Sequence, residues 1–230
     1  MADKLDQRVA ELERLNAELE RRVAACTAQL ETARSALEQE VEKRLWAGEA
    51  LTQANRRLHD EAMHDALTGL YNRRYWAESF ERELRRARRG GELLGLMIID
   101  IDHFKRCNDT FGHAAGDRVL CAIAKYMQSQ TRVEDILCRY GGEEFVLVQA
   151  QASAEAVLQR AEKFRLGVQG LEIEHDGRHV GPVTLSIGIA IFPDHGADGQ
   201  ALLQAADEAL YRAKQSGRNR VEMCGSNISN

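Results

Sequence analysis

Two pairs of acidic residues lie where a buried strand ends and where a glycine turn is predicted. Asp100 and Asp102 follow an apolar run, and Glu143 and Glu144 follow two consecutive glycines. If the two strands are neighbours, Asp100 and Glu143 converge at one edge of a sheet, where hard carboxylate oxygens suit Mg²⁺ bridged to nucleotide phosphates. The alternative is that Asp100 caps the following turn and that both glutamates are solvated residues of a hairpin.

Groups that could hold a phosphate or a base lie near these acids. The predicted turn at 103–105 could offer backbone N–H donors to a phosphate. Asn108 and Asp117 could hydrogen-bond the edge of a base. Lys214 and Arg218 end the last predicted helix and could neutralise phosphates, although the helix dipole alone favours cations there. The sequence contains neither a GxxxxGK[ST] loop nor a GxGxxG turn, so phosphate binding would need another arrangement.

Strands and helices alternate beyond residue 64 and must position these groups. The apolar patterns predict helices over 74–89, 114–131, 153–167 and 200–216, and strands over 93–100, 136–140, 143–150, 183–192 and 219–224. Gly141 and Gly142 predict a tight hairpin, because primed turns need positive φ. The order βαββαβ, with additions, predicts an α+β fold in which helices flank a central, mostly antiparallel sheet.

The segment 1–61 is predicted to be one long helix, because it has one glycine, no proline and many good helix formers. Two seven-residue series run through it: Leu5, Leu12, Leu19 and Cys26 at d positions, and Val9, Asn16, Val23, Leu30 and Leu37 at a positions. Valine at a with leucine at d favours two strands, and a buried asparagine at a fixes register and parallel pairing. We therefore expect a parallel dimeric coiled coil, roughly 90 Å long.

The heptad pattern falters after Leu37, because the a series continues to Arg44 while Leu37, Val41 and Leu45 are spaced four residues apart. Such spacing locally unwinds a left-handed supercoil. Either this stretch frays or packs weakly, or it transmits a signal between two nearly equivalent packings. The input would then come from an upstream domain or from a partner that binds the helix.

Composition bounds the class of protein. The chain has 230 residues, 44% hydrophobic and 29% charged, which predicts a soluble protein with one domain and an appendage. Its longest apolar run is far below the roughly 18 residues of a membrane span, so neither a membrane segment nor a signal peptide is expected. A net charge of −5 gives no field that would attract nucleic acid. Five scattered cysteines without a CxxC pair favour reduced thiols and a cytoplasmic location.

Several motifs in order carry a resemblance to a known family: DALTGLYNR at 65–73, DIDHFK at 100–105, ND at 108–109, FGH at 111–113, GGEEF at 141–145, YRAK at 211–214 and GRN at 217–219. The segment 62–230 resembles a GGDEF domain. That family consists of diguanylate cyclases, which condense two GTP into cyclic di-GMP and pyrophosphate. Glu143 replaces the family's usual aspartate, a variant that keeps the carboxylate and also occurs in active members.

The resemblance implies a role for each matched position. Asp100, the Ile101 carbonyl and Glu143 are implied to bind Mg²⁺, or Mn²⁺ in its place. Contacts to phosphate are implied for Phe104, Lys105, Lys214 and Arg218. Contacts to the guanine nucleotide are implied for Asn108, His113 and Asp117. Aspartate at 117 matches the guanine-selective form of the family. Glu143 or Glu144 would accept the proton of the attacking 3′-hydroxyl, and Lys105 would stabilise charge on the α-phosphate.

Cyclic di-GMP has two identical phosphodiester bonds, so two domains must face each other, and the predicted coil would supply the second domain. The segment Arg132-Val-Glu-Asp135 has the spacing of the family's inhibitory RxxD site, which would bind the product; a surface ion pair is the alternative. The basic run at 82–89 could add a contact to bound product or be a solvated helix face.

Two other classes of protein stay open at this point. A catalytically silent domain could act as a nucleotide receptor, but Asp100, Lys105 and Glu143, whose loss would indicate this, are all present. The chain could also be chiefly a coiled-coil interaction protein with a vestigial globular domain. Product identification after incubation with GTP separates these classes.

Overall fold

A computed structural model describes the backbone of residues 2–225 and the side chains in that range except those of residues 2–10 and 55–61. The chain divides into two compact units, Met1–His59 and Asp60–Asn230. We refer to them as the helical unit and the globular unit.

The helix α1 (Ala2–Met63) runs for 62 residues without interruption, as the lack of proline predicts. Its described leucines form an exposed stripe: Leu12, Leu19 and Leu30 have between 61% and 67% of their surface exposed. This confirms a long helix that fits a coiled coil. Leu5 and Val9, which open the two predicted series, lie outside the described side chains. Three i,i+4 ion pairs stabilise the polar faces: Glu18–Arg22, Arg34–Glu38 and Glu40–Arg44.

The globular unit contains a six-stranded sheet and a separate hairpin. The strands are β1 (Tyr71–Asn72), β2 (Leu94–Ile101), β3 (Ile136–Gly141), β4 (Glu144–Ala150), β5 (Glu174–His175), β6 (Arg178–His179), β7 (Leu185–Phe192) and β8 (Arg220–Met223). The sheet has the order β1-β3-β4-β2-β7-β8, and β5 pairs with β6. Three of its pairings are antiparallel and the two at its edges are parallel, so the predicted mostly antiparallel sheet is confirmed.

Helices cover both faces of this sheet: α2 (Arg73–Gly90), α3 (Phe104–Phe111), α4 (His113–Ser129), α5 (Ala154–Gln169) and α6 (Gly199–Gln215). Buried side chains of α4 and α5 pack with Met97 and Ile99 of β2, whereas those of α2 and α6 pack with Leu96 and Ile98. Because β2 is buried on both faces, its apolar run is continuous rather than alternating. Within the described residues, no helix is both long enough and apolar enough to cross a membrane.

The predicted βαββαβ core is confirmed as β2, α3 with α4, β3, β4, α5 and β7, followed by α6 and β8. A turn was expected at 103–105, but the chain from Phe104 forms the helix α3 (Phe104–Phe111). The strand β1 and the hairpin β5–β6 were not predicted. These elements have two to eight residues, which is too short for an apolar period to appear in the sequence.

Direct contact between α6 and β7 brings the end of α6 to the site described below. A Cβ atom at Gly188 of β7 would lie 2.1 Å from the carbonyl oxygen of Ala206, closer than atoms can approach. Glycine therefore lets the helix backbone rest on the strand. The last turn of α6 consequently reaches the carboxyl end of β2.

Candidate active site

The carboxyl end of β2 carries a buried acid paired with a lysine. Asp100 is 6% exposed, and Lys214 Nζ of α6 lies 2.8 Å from its Oδ2. In the strand register, Asp100 faces Glu144 of β4 on one side and Ser186 of β7 on the other. The central position of β2 therefore places this acid between two neighbouring strands.

The glycine turn brings Glu143 beside β2. Gly141 ends β3 and pairs with Glu144, so that Gly142 and Glu143 form the turn itself. Only Gly142 has a positive φ, of 52°, which corrects the expectation that both glycines occupy the turn. A register shift between Arg139 and Gly141 precedes the turn, and such bulges re-aim neighbouring side chains. The Ile101 N–H donates a hydrogen bond of 3.3 Å to the Glu143 carbonyl.

The acids at this end of the sheet influence one another. Burial raises the pKa of Asp100, the charges of Lys214 and Arg218 lower it, and Asp102 adds to the rise. Burial also raises the pKa values of Glu143 and Glu144, and the charge of Asp100 raises them further, while Lys214 opposes both shifts. A cluster of carboxylates that repel one another favours a bound cation.

A divalent metal ion fits the chemistry of these donors. Asp100, Glu143 and the Ile101 carbonyl offer hard oxygen atoms at one sheet end. Within the described residues, no three His, Cys, Asp or Glu side chains are grouped so that they could hold a metal by themselves. A cation at this end would therefore complete its coordination with phosphate oxygens or water, as Mg²⁺ commonly does.

The helix α3 begins directly after the acidic strand end. His103 adopts a left-handed conformation with φ of 57°, and Phe104 and Lys105 form the first turn of the helix. Phe104 is buried, whereas the Lys105 side chain is exposed. The first N–H groups of a helix lack partners within it and attract anions, so the helix start supplies the donors that were expected from a turn.

Asn108 presents an acceptor without a partner. Its Oδ1 is buried and has no hydrogen-bond partner among the described residues. The side chain lies against Gly116 of α4, where a Cβ atom would come within 1.9 Å of that oxygen. Asp117 follows this glycine and His113 begins α4, and both are exposed. Near the junction of α3 and α4 the chain thus carries a buried amide oxygen without a partner, an exposed carboxylate and an exposed imidazole.

Arg218 follows α6 in a turn with three consecutive residues of positive φ, at 217–219. The structure thus brings Asp100, Ile101, Glu143, Glu144 and Lys214 together, and the charge of Arg218 reaches Asp100. Asn108 lies on α3, and His113 and Asp117 lie on α4.

Asp65 and Arg139 support the glycine turn, a role that sequence reasoning missed. Arg139 Nη1 donates to both carboxylate oxygens of Asp65 at 3.1 and 3.2 Å, and its Nε and Nη2 donate to the Gly142 carbonyl at 3.0 and 2.8 Å. Burial would raise the pKa of Asp65, but hydrogen bonds from Thr68 and Arg139 outweigh it and lower that pKa. The sequence did contain a signal for this role, because Asp65 opens the motif at 65–73 and Arg139 lies two residues before the motif at 141–145.

Asp102 was noticed in the sequence, but the structure gives it a different environment from Asp100. Its Oδ1 accepts a hydrogen bond of 2.6 Å from the Ser186 hydroxyl, and its Oδ2 accepts bonds of 2.7 Å from the Thr184 hydroxyl and 3.0 Å from the Asn219 N–H. Asp102 is 7% exposed. Its hydrogen bonds thus tie β7 to the turn that carries Arg218.

Arg132 and Asp135 lie in the loop between α4 and β3. Asp135 is buried, and its Oδ2 accepts a hydrogen bond of 3.2 Å from the Arg132 N–H. The Arg132 side chain is exposed and borders a cavity of about 330 Å³, which His64 and Tyr71 also line. Among the described residues, the two side chains form no ion pair, so the guanidinium is available to a ligand.

Comparison with known proteins gives matches across the globular unit. The family model "Diguanylate cyclase, GGDEF domain" matches residues 62–220. Diguanylate cyclase DosC of Escherichia coli K12 is 42% identical over 165 residues, which is 72% of this chain and 35% of DosC. The chain spans about a third of the length of the curated relatives it matches.

Two solved structures extend the comparison. The coiled coil and GGDEF domain of DgcB from Caulobacter crescentus, in complex with c-di-GMP, gives a TM-score of 0.78 at 31% identity and covers 81% of this chain and 98% of that chain. The active GGEEF domain of a diguanylate cyclase from Vibrio cholerae gives a TM-score of 0.63 at 34% identity, covering 68% and 98%. With its motifs, fold and matched family model in agreement, the chain belongs to the GGDEF-domain diguanylate cyclase family.

Proposed function

We propose that this chain is a diguanylate cyclase that condenses two GTP into cyclic di-GMP and two pyrophosphates. The observation that carries the proposal is the cluster of Asp100, Glu143 and Glu144 beside Lys214 at one end of the sheet. The family match supports the same reaction. The GGEEF domain from Vibrio cholerae, which is described as active, supports a working glutamate at position 143.

Asp100, Glu143 and the Ile101 carbonyl would hold Mg²⁺, or Mn²⁺ in its place. The bound ion would lower the pKa of the 3′-hydroxyl and neutralise charge on the triphosphate. Glu143 or Glu144 would accept the hydroxyl proton, and their raised pKa values suit a general base better than those of solvated glutamates. Geometry leaves both glutamates as candidates for this role.

The triphosphate would lie across the start of α3 and the end of α6. Backbone N–H groups at Phe104 and Lys105 would donate to phosphate oxygens, because this helix start attracts anions. The Lys105 ammonium would stabilise charge on the α-phosphate, while Lys214 and Arg218 would neutralise the leaving pyrophosphate. The pair of Lys214 with Asp100 supports this placement, because it holds the lysine at the end of the sheet where the phosphates would lie.

Guanine would be held at the junction of α3 and α4. The Asn108 side-chain amide, whose oxygen lacks a partner, would hydrogen-bond the base, and the Asp117 carboxylate would accept its N–H groups. His113 would contact the nucleotide at the start of α4. A carboxylate selects guanine over adenine because guanine presents N–H donors where adenine has an acceptor.

The reaction would take place between two copies of the chain. One globular unit holding one GTP cannot form both phosphodiester bonds, whereas a twofold pair makes the two attacks equivalent. The exposed leucine stripe of α1 would pair with that of a second copy as a parallel coiled coil.

The protein would be located in the cytoplasm, because its five cysteines are free thiols, as is usual in a reducing compartment.

Arg132 and Asp135 would bind cyclic di-GMP and inhibit the enzyme. The exposed guanidinium suits a bidentate contact to guanine or phosphate, and the adjoining cavity provides space for part of the ligand. Arg132→Ala should raise the product concentration for half-inhibition by about tenfold, because a bidentate charged contact is lost. Equal inhibition of wild type and variant would refute this site.

The test of the reaction is incubation of the full chain with GTP and Mg²⁺, followed by identification of the product by mass. Cyclic di-GMP supports the proposal, whereas GDP or 3′,5′-cyclic GMP would contradict it. Asp100→Asn is a control that preserves shape but removes the charge, and it should form no product. ATP in place of GTP tests the base selectivity assigned to Asp117.

A further inference from the structure

Asp102 stands two residues beyond Asp100 but takes no part in the ion pair with Lys214. Its carboxylate is buried and accepts three hydrogen bonds, from two hydroxyl groups of the segment 184–186 and from the backbone N–H of Asn219. Hydrogen bonds to an ionised carboxylate are stronger than neutral ones. A group that is so fully bonded holds its neighbours in place rather than awaiting a ligand.

The Asn219 N–H belongs to a backbone segment of unusual conformation. Gly217, Arg218 and Asn219 have φ values of 111°, 61° and 46°. A left-handed conformation costs free energy at arginine, and it persists only where surrounding contacts impose it. Contacts therefore have to hold Arg218 in a conformation that its own backbone disfavours.

Hydrogen bonds at several points restrain this turn, and the following three are the shortest of them. The Arg218 N–H donates to the Ala213 carbonyl at 3.0 Å, and Asn219 Oδ1 accepts a bond of 3.0 Å from Arg165 Nη1. The third bond, to Asp102, joins the turn to the end of β2. That strand end also carries Asp100, whose pKa the charge of Arg218 lowers.

We propose that Asp102 is a positioning residue, which holds the turn at 217–219 so that Arg218 faces the phosphates of bound GTP. The inference rests on the proposed function, because Arg218 acts on phosphate only if the site binds GTP. In this arrangement the Asp102 carboxylate bonds only to Thr184, Ser186 and Asn219, and it needs no contact with the metal or the nucleotide. It acts through the Asn219 N–H, which follows Arg218 directly in the chain.

The test compares Asp102→Ala with a matched control, Ser186→Ala, in the full chain. Both variants remove part of the same buried cluster, but only the first breaks the bond to Asn219. We expect Asp102→Ala to weaken binding of a non-hydrolysable GTP analogue with Mg²⁺ by about tenfold, the effect of one charged hydrogen bond. Ser186→Ala should stay within about twofold of wild type, because the turn keeps its anchor.

A double-mutant cycle with Arg218→Ala separates positioning from general loss of structure. If Asp102 acts through Arg218, Asp102→Ala has no further effect on affinity once the arginine is removed. Equal losses in both backgrounds would overturn the inference. So would a loss in Ser186→Ala as large as that in Asp102→Ala.

Asp102→Asn keeps the proposal testable if Asp102→Ala fails to fold. Its amide oxygen can accept the Asn219 N–H, while its NH₂ group donates to the Ser186 hydroxyl, so we expect a loss of only about threefold. That loss should vanish in the Arg218→Ala background. A loss that persists there contradicts the positioning role.

Hydrogen exchange separates failure of this inference from failure of the proposed function. Asp102→Ala should speed amide exchange in the peptide that covers 217–220, whether or not the chain makes cyclic di-GMP. A wild type that forms no cyclic di-GMP refutes the proposed reaction alone. A wild type that forms it, with affinity and exchange unchanged in Asp102→Ala, refutes the inference alone.

Discussion

Leucine side chains are exposed in the helical unit and buried in the core of the globular unit. Leu12 and Leu19 of α1 are 67% and 61% exposed, whereas Leu94 and Leu96 of β2 are fully buried. Burial of one such side chain is worth about 1.5–3 kcal/mol, so the exposed stripe of α1 represents apolar surface that a second helix can cover. The globular unit completes its core within one chain, whereas the described leucines of α1 stay uncovered within that chain.

This difference separates folding from assembly. The contacts that shape the active site lie within the globular unit, and the surface available for pairing lies on α1. The proposed reaction needs both, because one site supplies only half of the ring. Changes in the globular unit should therefore leave dimer formation through α1 intact, and changes in α1 should leave nucleotide binding by the globular unit intact. The following predictions test that separation.

The largest effect is expected for Glu143→Gln, which removes a proposed metal ligand from the globular unit. Cyclisation should fall by at least about 10³-fold, because metal binding and charge stabilisation fail together. Product formation from GTP measures this loss, and sedimentation should show an unchanged dimer. Glu143→Asp is the matched control and should stay active, since it keeps the carboxylate. Equal activity of the Gln and Asp variants would contradict the assignment.

A smaller loss is expected from Leu12→Glu combined with Leu19→Glu in the helical unit. The charged stripe cannot pair, so cyclisation at low protein concentration should fall by about 10²-fold as the local concentration of the second site is lost. Binding of a GTP analogue should remain. Ala17→Glu with Ala24→Glu adds the same charge on another face of α1 and should change neither the rate of cyclisation nor the binding of the GTP analogue. Full activity of a monomeric leucine variant would refute the role of the coil.

Asp65→Asn should destabilise the globular unit by about 1–2 kcal/mol near neutral pH, because it removes the charge that Arg139 and Thr68 stabilise. The pKa of Asp65 is lower in the folded state than its ordinary value of 3.8. Its stabilising effect is therefore complete above that value and is lost as the pH falls through the lower, folded pKa. Urea unfolding should show a constant difference from wild type between about pH 5 and 8, which narrows below about pH 4.

Glu208→Gln serves as the control for that measurement, because Glu208 is exposed and its partner is Gln204 of the same helix. Its free energy of unfolding should stay within about 0.5 kcal/mol of wild type. A difference between Asp65→Asn and wild type that grows towards acid pH would contradict the assigned sign.

The smallest change in function is expected from mild oxidation of Cys26. This residue is exposed, and in a parallel coil in register two d-position cysteines face each other. Oxidation should give a covalent dimer that cyclises GTP at a rate close to that of the reduced protein. Burial raises the pKa of Cys138 to about 12, so that thiol should not react. Cys26→Ser is the control and should lose the cross-link, whereas a wild type that forms no cross-link at Cys26 would contradict parallel pairing in this register.

Local patterns were enough to predict most elements of the globular unit. The apolar runs of β2 and β7 and the periodic helices α2, α4, α5 and α6 were placed within about two residues, because each has a period or run that needs no distant partner. The exact residues of the turn between β3 and β4 were harder to predict. Gly141 belongs to β3, and Glu143 takes the second turn position, because pairing with β4 sets the register.

Residue types and motif spacing alone identified Asp100, Lys105, Asn108, Glu143 and Lys214 as candidates and showed the leucine repeat of α1. The tertiary structure decided the different environments of Asp100 and Asp102. These two acids are separated by one residue, yet the first meets Lys214 and the second meets Thr184, Ser186 and Asn219. Such partners lie far along the chain, and only strand register and helix packing bring them together.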